Sequence, residues 1–530
     1  MLLQVIFTFQ NSYSPMKKLL LVLGLPALLF LQSCSQKDEI AESTLQTGQK
    51  SALVKKKVSI DAPEGNAIAK QQLDQYVVGK LEAERDFRWT NEDLKTLWSA
   101  LQYGDRSLAI GYKIAGITDL TPTLHEINIQ KGEWKQVHDE LISLIKNEYF
   151  KSTGTALKWE EILVEDDQIL PIITIKMTDK NVLTALANLE NVRYLEPLDF
   201  WPDQIERSSS GCDGSSTTVN AADFTTITPG AKLPWNFNSI GVPTAWNTAQ
   251  GQGITIGVID AGISSAQSLL GSQFTNGLSS GRTITTDYTL GSSAYTSCTH
   301  GTSMSGLAVG PRNNLNNTTG IAYKSNLHFI RACNDVVLDG SSERTGVKNA
   351  LVRMGNRTDV RIVSMSIGTP FYSSVLYDGV VYANNKGKML FAAAGTSFSW
   401  TSWYGVIYPA AHGECIAVTG VNESSSTCNV CHDGSEVDFT VPMERNANSD
   451  RNTLSLAGSG NNPSYVGGSS SATAMTAGVA ALVWSARPTL TRSQVYTAIR
   501  NTSQYYPSYS SSRGYGNINA AAAVSAALTY

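Results

Sequence analysis

Residues 467–484 read GGSSSATAMTAGVAALVW, with three consecutive serines between a glycine pair and a run of small apolar residues. The residues from Ala472 onwards predict a helix that is apolar on all sides, and such a helix must be buried. Serine before a helix commonly caps its free N–H groups, and composition alone favours that interpretation. A buried helix also directs its N-terminal N–H groups and positive dipole end at a partner, so the rest of the chain decides whether a serine here is a nucleophile.

The 530-residue chain has room for two or three domains, and its charged residues are unevenly distributed. Residues 1–207 hold 52 of the 86 Lys, Arg, Asp and Glu residues, whereas residues 208–530 hold 34. The junction ERSSSGCDGSSTT, residues 206–218, is rich in Ser and Gly, which is typical of a flexible linker. The net charge of −4 and the absence of a basic run in the sequence argue against nucleic acid as a partner.

The N-terminal region, residues 1–34, has the features of an export signal. From Met16 it reads MKKLLLVLGLPALLFLQSC, with two lysines and an apolar segment too short for a comfortable membrane span. The order LQSC ending at Cys34 resembles the lipobox of bacterial lipoproteins, in which the cysteine is lipidated; a plain signal peptide with an incidental cysteine is the alternative. The following QKDE, residues 36–39, resembles the tag that sends some lipoproteins to the cell surface.

Residues 35–207 predict a compact α+β domain, with helix and strand signals in alternation. The elements are a capped amphipathic helix from Leu94 to Leu101, a helix over 138–150, a strand over 169–177, a helix over 180–189 and a strand over 192–195.

From residue 254 onwards, short apolar strands alternate with helical stretches. The strands are ITIGVI (254–259), LHFIRA (327–332), RIVSMSI (361–367), KMLFAAA (388–394) and CIAVTGV (415–421). Continuous apolar strands separated by helices indicate a doubly wound α/β fold, with a mostly parallel sheet covered by helices on both faces. Reactive groups of such folds collect at the carboxyl ends of the strands.

An aspartate, a histidine and the serine cluster each lie next to the end of a predicted strand or the start of a predicted helix. Asp260 directly follows the first strand, His300 begins another small-residue helix, and the serine cluster precedes the apolar helix. Each has an ordinary structural interpretation by itself, as a solvated loop carboxylate, a hydrogen-bonding histidine or a helix cap. Their order, Asp then His then Ser, matches one of the convergent orders of the serine-hydrolase triad.

These segments resemble the motifs of the subtilases, the subtilisin-like serine peptidase family. VIDAGI (258–263) resembles the aspartate motif, HGTSMSGLAVG (300–310) the histidine motif and GSSSATAMTAGVAAL (468–482) the serine motif. Connecting segments are also similar: GIAYKSNLHFIRA (320–332), VSMSIG (363–368), YPAAHGECIAV (408–418) and GYGNINAAAAV (514–524). The resemblance covers residues 235–525 and implies a subtilisin-like fold and endopeptidase activity.

Matching Gly478 to the helix glycine of the family motif makes Ser470 the nucleophile. Ser469 is then a support residue and Ser471 a helix-start residue. The resemblance further implies His300 as general base and Asp260 as the group that orients it.

One position departs from the family pattern. After AAAG most relatives carry an asparagine that donates to the oxyanion, whereas this chain has Thr396, whose hydroxyl is a weaker donor. A catalytically weak or silent protein of the same fold that binds peptides is therefore the alternative function.

The resemblance also implies how substrates bind. An extended polypeptide is expected to add as a strand along Ser366, Ile367 and Gly368 and beside Ala394 and Gly395. No cofactor is expected. Calcium sites are common in the family, but the sequence has no convincing carboxylate cluster.

Six cysteines lie after residue 207, an even number that suggests up to three disulfides in an exported domain. The expected pair is Cys298 with Cys333, because one precedes His300 and the other ends a neighbouring strand. Cys428 and Cys431 with His432 also match C-x-x-C-H, the attachment pattern of c-type haem, although the surrounding polar residues favour a disulfide.

ENVRYLEPLD, residues 190–199, resembles the end of the subtilase inhibitor domain. The expected organisation is a signal peptide (1–34), a propeptide (35–207) and a peptidase domain (208–530), with cleavage between residues 206 and 212. The lipid on Cys34 would tether the propeptide to the outer membrane, and cleavage would release the catalytic domain.

Overall fold

The computed structural model describes residues 51–205, 210–212, 218–396 and 405–530. The predicted signal peptide, Cys34 and part of the linker lie outside the described residues. None of the helices in the described ranges is long and apolar enough to cross a membrane.

Residues 51–205 form an α+β domain around a four-stranded antiparallel sheet, as the sequence predicts. Its strand order is β2-β3-β1-β4. The strands are β1 Ser107–Tyr112, β2 Leu163–Asp166, β3 Ile172–Lys176 and β4 Val192–Pro197, and the helices are α1 Lys70–Glu84, α2 Leu94–Gln102, α3 Gly132–Thr153, α4 Trp159–Ile162 and α5 Lys180–Ala187.

The larger domain contains a nine-stranded sheet of order β15-β14-β13-β12-β11-β10-β7-β9-β8, in which the seven strands from β13 to β8 run parallel. Strands β14 and β15 are antiparallel to their neighbours. The nine strands are β7 Thr255–Asp260, β8 Ile284–Tyr288, β9 Asn326–Arg331, β10 Val360–Met365, β11 Met389–Ala393, β12 Cys415–Asn422, β13 Val437–Arg445, β14 Asn448–Leu456 and β15 Pro463–Val466. A separate hairpin joins β5 Phe224–Ile227 to β6 Ala231–Pro234.

Helices cover both faces of this sheet, which confirms the doubly wound α/β fold. The helices of this domain are α6 Trp235–Ser239, α7 Val242–Ala245, α8 His300–Val309, α9 Ser341–Asn356, α10 Ser374–Asn385, α11 Gly468–Ala486, α12 Arg492–Asn501 and α13 Ala520–Ala527. Alternate residues of β7 point to opposite cores: Ile256 and Val258 pack with α8 and α11, whereas Ile259 packs with α9 and α10.

The smaller domain packs on the outer side of α9 and α10. Ala109, Ile172 and Tyr194 from its sheet form one buried apolar cluster with Val352 of α9 and Val381 of α10. The small sheet is therefore sandwiched between its own helices and two helices of the larger domain.

Helix α11 is buried because its small residues allow close packing on all sides. A Cβ atom added at Gly478 would lie 2.9 Å from Ile321 Cβ and 3.3 Å from the carbonyl oxygen of Ala308, the latter in α8. The glycine therefore sets how closely α8 and its following loop approach α11.

We expect Gly478→Ala to destabilise the chain by about 1–3 kcal/mol, because the added methyl group overpacks this contact. Gly79→Ala is the matched control, since Gly79 lies inside α1 with open space around its Cβ position. There the change should stabilise by about 0.5–1 kcal/mol through helix propensity. Urea unfolding of the uncut chain, kept intact by Ser470→Ala in the reference and in both variants, measures both changes; shifts of the same sign would contradict the packing argument.

Candidate active site

Asp260 and His300 form a buried hydrogen-bonded pair at the carboxyl end of β7. His300 Nδ1 lies 2.9 Å and 3.0 Å from the two carboxylate oxygens of Asp260, and the N–H of Ala261 donates to Oδ1 at 2.7 Å. Asp260 is fully buried and His300 is 7% exposed. Because a carboxylate can only accept, Nδ1 carries the proton of this hydrogen bond, which leaves Nε2 as the nitrogen that can act as a base.

The start of α8 holds His300 in this orientation. His300 is the first residue of the helix, so the positive end of the helix dipole lies beside the Asp260 carboxylate. A Cβ atom at Gly301 would lie 2.3 Å from the carbonyl oxygen of Gly262, which follows Asp260 in the chain. Glycine at 301 therefore permits the close approach that brings His300 to Asp260.

Ser470 lies in the first turn of α11, where the helix N–H groups have no intrahelical acceptor. The helix begins four residues earlier than the sequence predicts. Its N-cap is Gly467, and no side chain caps it, so the capping interpretation of the serines is wrong. The small residues from Gly468 onwards let the helix begin inside the close-packed site.

Two hydrogen bonds fasten Ser470 to the end of β10. Ser366 Oγ donates to the Ser470 carbonyl at 2.9 Å, and Ser470 Oγ donates to the Ser366 carbonyl at 3.4 Å. Because Met365 pairs with Ile259 in the sheet, Ser366 lies at the same level as Asp260. The structure thus brings Asp260, His300 and Ser470 to one sheet edge. In the described part of the chain, Ser470 Oγ has no hydrogen bond to His300.

The neighbouring serines have different surroundings. Ser469 Oγ accepts from the Gly395 N–H at 3.0 Å and lies 3.2 Å from Thr396 Oγ1, which matches its expected support role. Ser471 Oγ is buried and has no hydrogen-bond partner among the described residues. Thr396 is half-buried, and its hydroxyl lies over the start of α11: a Cβ atom at Gly468 would be 2.6 Å from it.

The expected peptide-binding edges are hydrogen-bonded internally. Gly368 N–H donates to Val336 at 2.8 Å, and Gly368 accepts from Leu338 at 2.9 Å. On the other side, Ala394 accepts from Ile407 at 2.9 Å and the Gly395 carbonyl accepts from His432 at 3.0 Å. Ile367 is buried. An added peptide strand must therefore displace the segment around Val336 to reach Gly368.

The family model of the subtilases matches residues 251–517, a span that contains Asp260, His300 and Ser470. The chain belongs to the subtilase family. Membership supports a serine peptidase activity on polypeptides.

Individual relatives of this subtilase are distant. Subtilisin E of Bacillus subtilis (strain 168) is 31% identical over 293 residues, which cover 55% of this chain and 71% of that protein. The minor extracellular protease Epr of the same organism is 30% identical over 253 residues, 46% of this chain and only 36% of Epr. Among solved structures, the proteases from Pseudoalteromonas arctica PAMC 21717 are 21% identical with a TM-score of 0.45, over 54% of this chain and 94% of that one.

The disulfide predicted between Cys298 and Cys333 is wrong. Cys298 bonds to Cys212 of the linker, 86 residues earlier, with 4.3 Å between their Cα atoms. Cys333 is a free thiol in the core beneath β9, where burial raises its pKa well above the usual range, with a further contribution from the Asp260 charge. The linker reaches the loop before His300, where the Cys212 carbonyl accepts from the Thr299 N–H at 3.4 Å.

The C-x-x-C-H motif of this subtilase forms a second disulfide, Cys428 with Cys431, so both sulfurs that a c-type haem would need are bonded to each other. His432 packs against Gly395, a contact that sequence reasoning missed although the motif had drawn attention to the residue. Across the described ranges, no group of three or more His, Cys, Asp or Glu side chains is placed to hold a metal ion.

We expect Ser469→Ala to destabilise the protein by about 1–3 kcal/mol, because the buried Gly395 N–H loses its acceptor. Ser471→Ala is the matched control: it removes a buried hydroxyl without a partner among the described residues and should be neutral or stabilising. Thermal unfolding of the two variants measures the difference. Equal melting temperatures would show that Ser469 does not support the Gly395 turn.

Proposed function

We propose that this subtilase is an exported serine endopeptidase that uses Asp260, His300 and Ser470 as its catalytic triad. The observation that carries the proposal is the buried Asp260–His300 pair at the sheet edge where Ser366 fastens Ser470. Asp260 fixes the tautomer, and His300 Nε2 is free to act as a base.

The residues act in a defined order. Ser470 Oγ turns from the Ser366 carbonyl to His300 Nε2, gives up its proton and bonds to the carbonyl carbon of the substrate. The C–N bond breaks as His300 returns the proton to the leaving amine, and an acyl-enzyme remains. His300 then takes a proton from water, whose oxygen bonds to the acyl carbon. The bond between that carbon and Ser470 Oγ breaks, His300 returns the proton to Ser470 Oγ, and the acid product leaves. The N–H of Ser470 in the first turn of α11 and the hydroxyl of Thr396 donate to the oxyanion.

Ser470→Ala should abolish casein hydrolysis and labelling by a fluorophosphonate, because the nucleophile is removed. Ser471→Ala should remain labelled. Gel fluorescence of the labelled chain and release of casein peptides measure the two activities. Loss of labelling in Ser471→Ala alone would place the nucleophile one residue later, and a wild-type chain that binds peptides without being labelled would favour the silent peptide-binding alternative.

Residues 35–207 are proposed to be the propeptide, and their contacts with α10 support this role. Glu196, at the end of β4, accepts from the N–H groups of Ser374 at 2.7 Å and Val375 at 3.3 Å, the first two residues of α10. Burial raises the pKa of this carboxyl, and Arg344 and the backbone N–H groups oppose the rise. A carboxylate at a helix N-terminus interacts favourably with the helix dipole, so this contact stabilises the interface between the two domains.

Ion pairs with low exposure join the same two domains. Arg193 makes a bidentate contact with Asp378 of α10, at 2.5 Å and 3.0 Å. Lys348 of α9 is fully buried between Glu165, at 3.0 Å, and Asp167 of the smaller domain. Because breaking a buried pair leaves an uncompensated charge, these contacts support a smaller domain that stays bound until it is cut and degraded.

The Cys212–Cys298 disulfide decides which cleavage can release the propeptide. A cut before Cys212 removes the covalent link between the two domains and leaves the new N-terminal segment of the enzyme bonded to the loop before His300. A cut after Cys212 leaves them joined covalently. The proposed cleavage between residues 206 and 212 therefore permits a lipid on Cys34 to tether the precursor and cleavage to free the enzyme from the outer membrane.

Wild-type cells should release a soluble enzyme whose N-terminus lies between residues 207 and 212, and Ser470→Ala cells should retain one uncut chain in the membrane fraction. The soluble enzyme should have the same mobility on non-reducing and reducing gels, apart from the small change caused by its internal disulfides. Detection of a propeptide fragment only after reduction would place the cut after Cys212. Activity confined to a full-length membrane chain would rule out release.

A further inference from the structure

The loop that carries the C-x-x-C-H motif has no part in the mechanism described above, yet it is one of the two disulfide-bonded places among the described residues. Cys428 and Cys431 are 4% and 8% exposed, and His432 is 4% exposed. A disulfide over so short a loop adds little to the stability of the whole chain, because the entropy that it removes grows with loop length. Its effect is to restrict the loop itself.

This loop, residues 428–432, lies directly against the strand end that carries the oxyanion donor. Thr396 forms an antiparallel bridge with Cys431. The His432 N–H donates to the Gly395 carbonyl at 3.0 Å. The imidazole lies over the α-carbon of Gly395, where an added Cβ atom would be 2.4 Å from Nδ1. The loop thus contacts the main chain of Thr396 as well as the carbonyl and the α-carbon of Gly395.

His432 also bonds to Gly405. Its Nδ1–H donates to the Gly405 carbonyl at 2.7 Å, while its main-chain N–H holds Gly395. One residue therefore ties together positions 395 and 405. Burial lowers the pKa of His432, which keeps the ring neutral with its proton on Nδ1.

The loop is itself anchored to the sheet. The Asn429 N–H donates to Glu444 at 2.9 Å, and Thr419 Oγ1 donates to the His432 carbonyl at 2.5 Å. Cys431 Sγ packs on Gly420 of β12, where an added Cβ atom would lie 2.7 Å from the sulfur. The loop is therefore a rigid support that rests on β12 and β13.

The Gly395–Thr396 segment is connected to the nucleophile through Ser469. Gly395 N–H and Thr396 Oγ1 both meet Ser469 Oγ, at 3.0 Å and 3.2 Å, and Ser470 follows in the chain. A threonine hydroxyl is shorter than the asparagine amide that most relatives carry here, so its donor has less reach and depends more on where the backbone holds it.

We propose that Cys428, Cys431 and His432 are positioning residues for the oxyanion donor: the disulfide-closed loop holds the Gly395–Thr396 turn so that the Thr396 hydroxyl can serve the transition state. This proposal rests on the proposed peptidase function. It assigns a catalytic purpose to the motif and explains how the enzyme works with threonine in place of asparagine.

The test is the variant Cys428→Ser/Cys431→Ser in the processed enzyme, with active sites counted by fluorophosphonate titration. We expect kcat per active site to fall at least tenfold and KM for a peptide substrate to stay within about twofold, because only the transition state uses the donor. Binding of a peptide boronate, whose tetrahedral adduct places an oxygen at the oxyanion position, should weaken by the same factor as kcat. A merely structural role would lower the number of active sites and leave kcat per site unchanged.

Cys415→Ala is the matched control, since it removes a buried free thiol from β12 without touching the Gly395–Thr396 turn. It should keep the wild-type kcat per active site. His432→Asn retains a donor near the position of Nδ1 and should keep kcat within about threefold of the wild-type value. His432→Phe retains the ring without the donor, and its kcat should fall about tenfold. These single variants test the proposal even if the double cysteine variant does not fold.

A double-mutant cycle with Thr396→Val tests whether the loop affects kcat through the Thr396 hydroxyl. If the loop acts through Thr396, removing the disulfide in the Thr396→Val background should cause no further loss of kcat. Additive losses, or wild-type kcat per site in the loop variants, would overturn the proposal. A wild-type chain that neither hydrolyses casein nor reacts with the fluorophosphonate would instead refute the proposed function itself, an outcome read without any loop variant.

Discussion

A fully buried carboxylate, Asp260, imposes the constraint on which the site depends. Removing a charge from water is costly unless donors replace the lost hydration. Here the donors are His300 Nδ1–H and the Ala261 N–H, with the start of α8 adding its dipole. Satisfying Asp260 therefore determines where α8 begins, which nitrogen of His300 carries the proton and why residue 301 has no side chain.

The second half of the site depends on the size of residues in α11. Its first turn lies between the ends of β10 and β11, fastened to Ser366 on one side and to Gly395 on the other. Such an arrangement requires small side chains along a helix that is buried in the core. Gly478 is one of them, because it lets the helix pack closely against Ile321. The three serines differ in role because each faces a different neighbour, although they are adjacent in the chain.

Disulfides flank the site on both sides. Cys212–Cys298 holds the linker beside the loop that leads to His300, and Cys428–Cys431 closes the loop beneath Thr396. Both bonds support the proposed export, because disulfides persist outside the reducing cytosol. The smaller domain packs on α9 and α10, and its buried ion pairs bind it to those two helices. The disulfides instead restrain loops at the carboxyl ends of the strands, next to the site.

Local pattern was sufficient to predict β7 and β9 to β12, because each is a continuous apolar run, and to predict the α+β fold of the smaller domain. The resemblance to the subtilase motifs, which are short and contiguous, indicated Asp260, His300 and Ser470 as site residues. Local pattern missed β8, because a polar and partly exposed edge strand lacks the apolar signal of a buried strand. It also missed β13, β14 and β15 and, in the smaller domain, β1 and β2. The start of α11 was decided by tertiary packing. So were the pairing of Cys212 with Cys298 and the contact of His432 with Gly395. Each joins segments that are distant along the chain, and a pairing of that kind depends on which surfaces meet when the sheet closes, not on the residues that flank either partner.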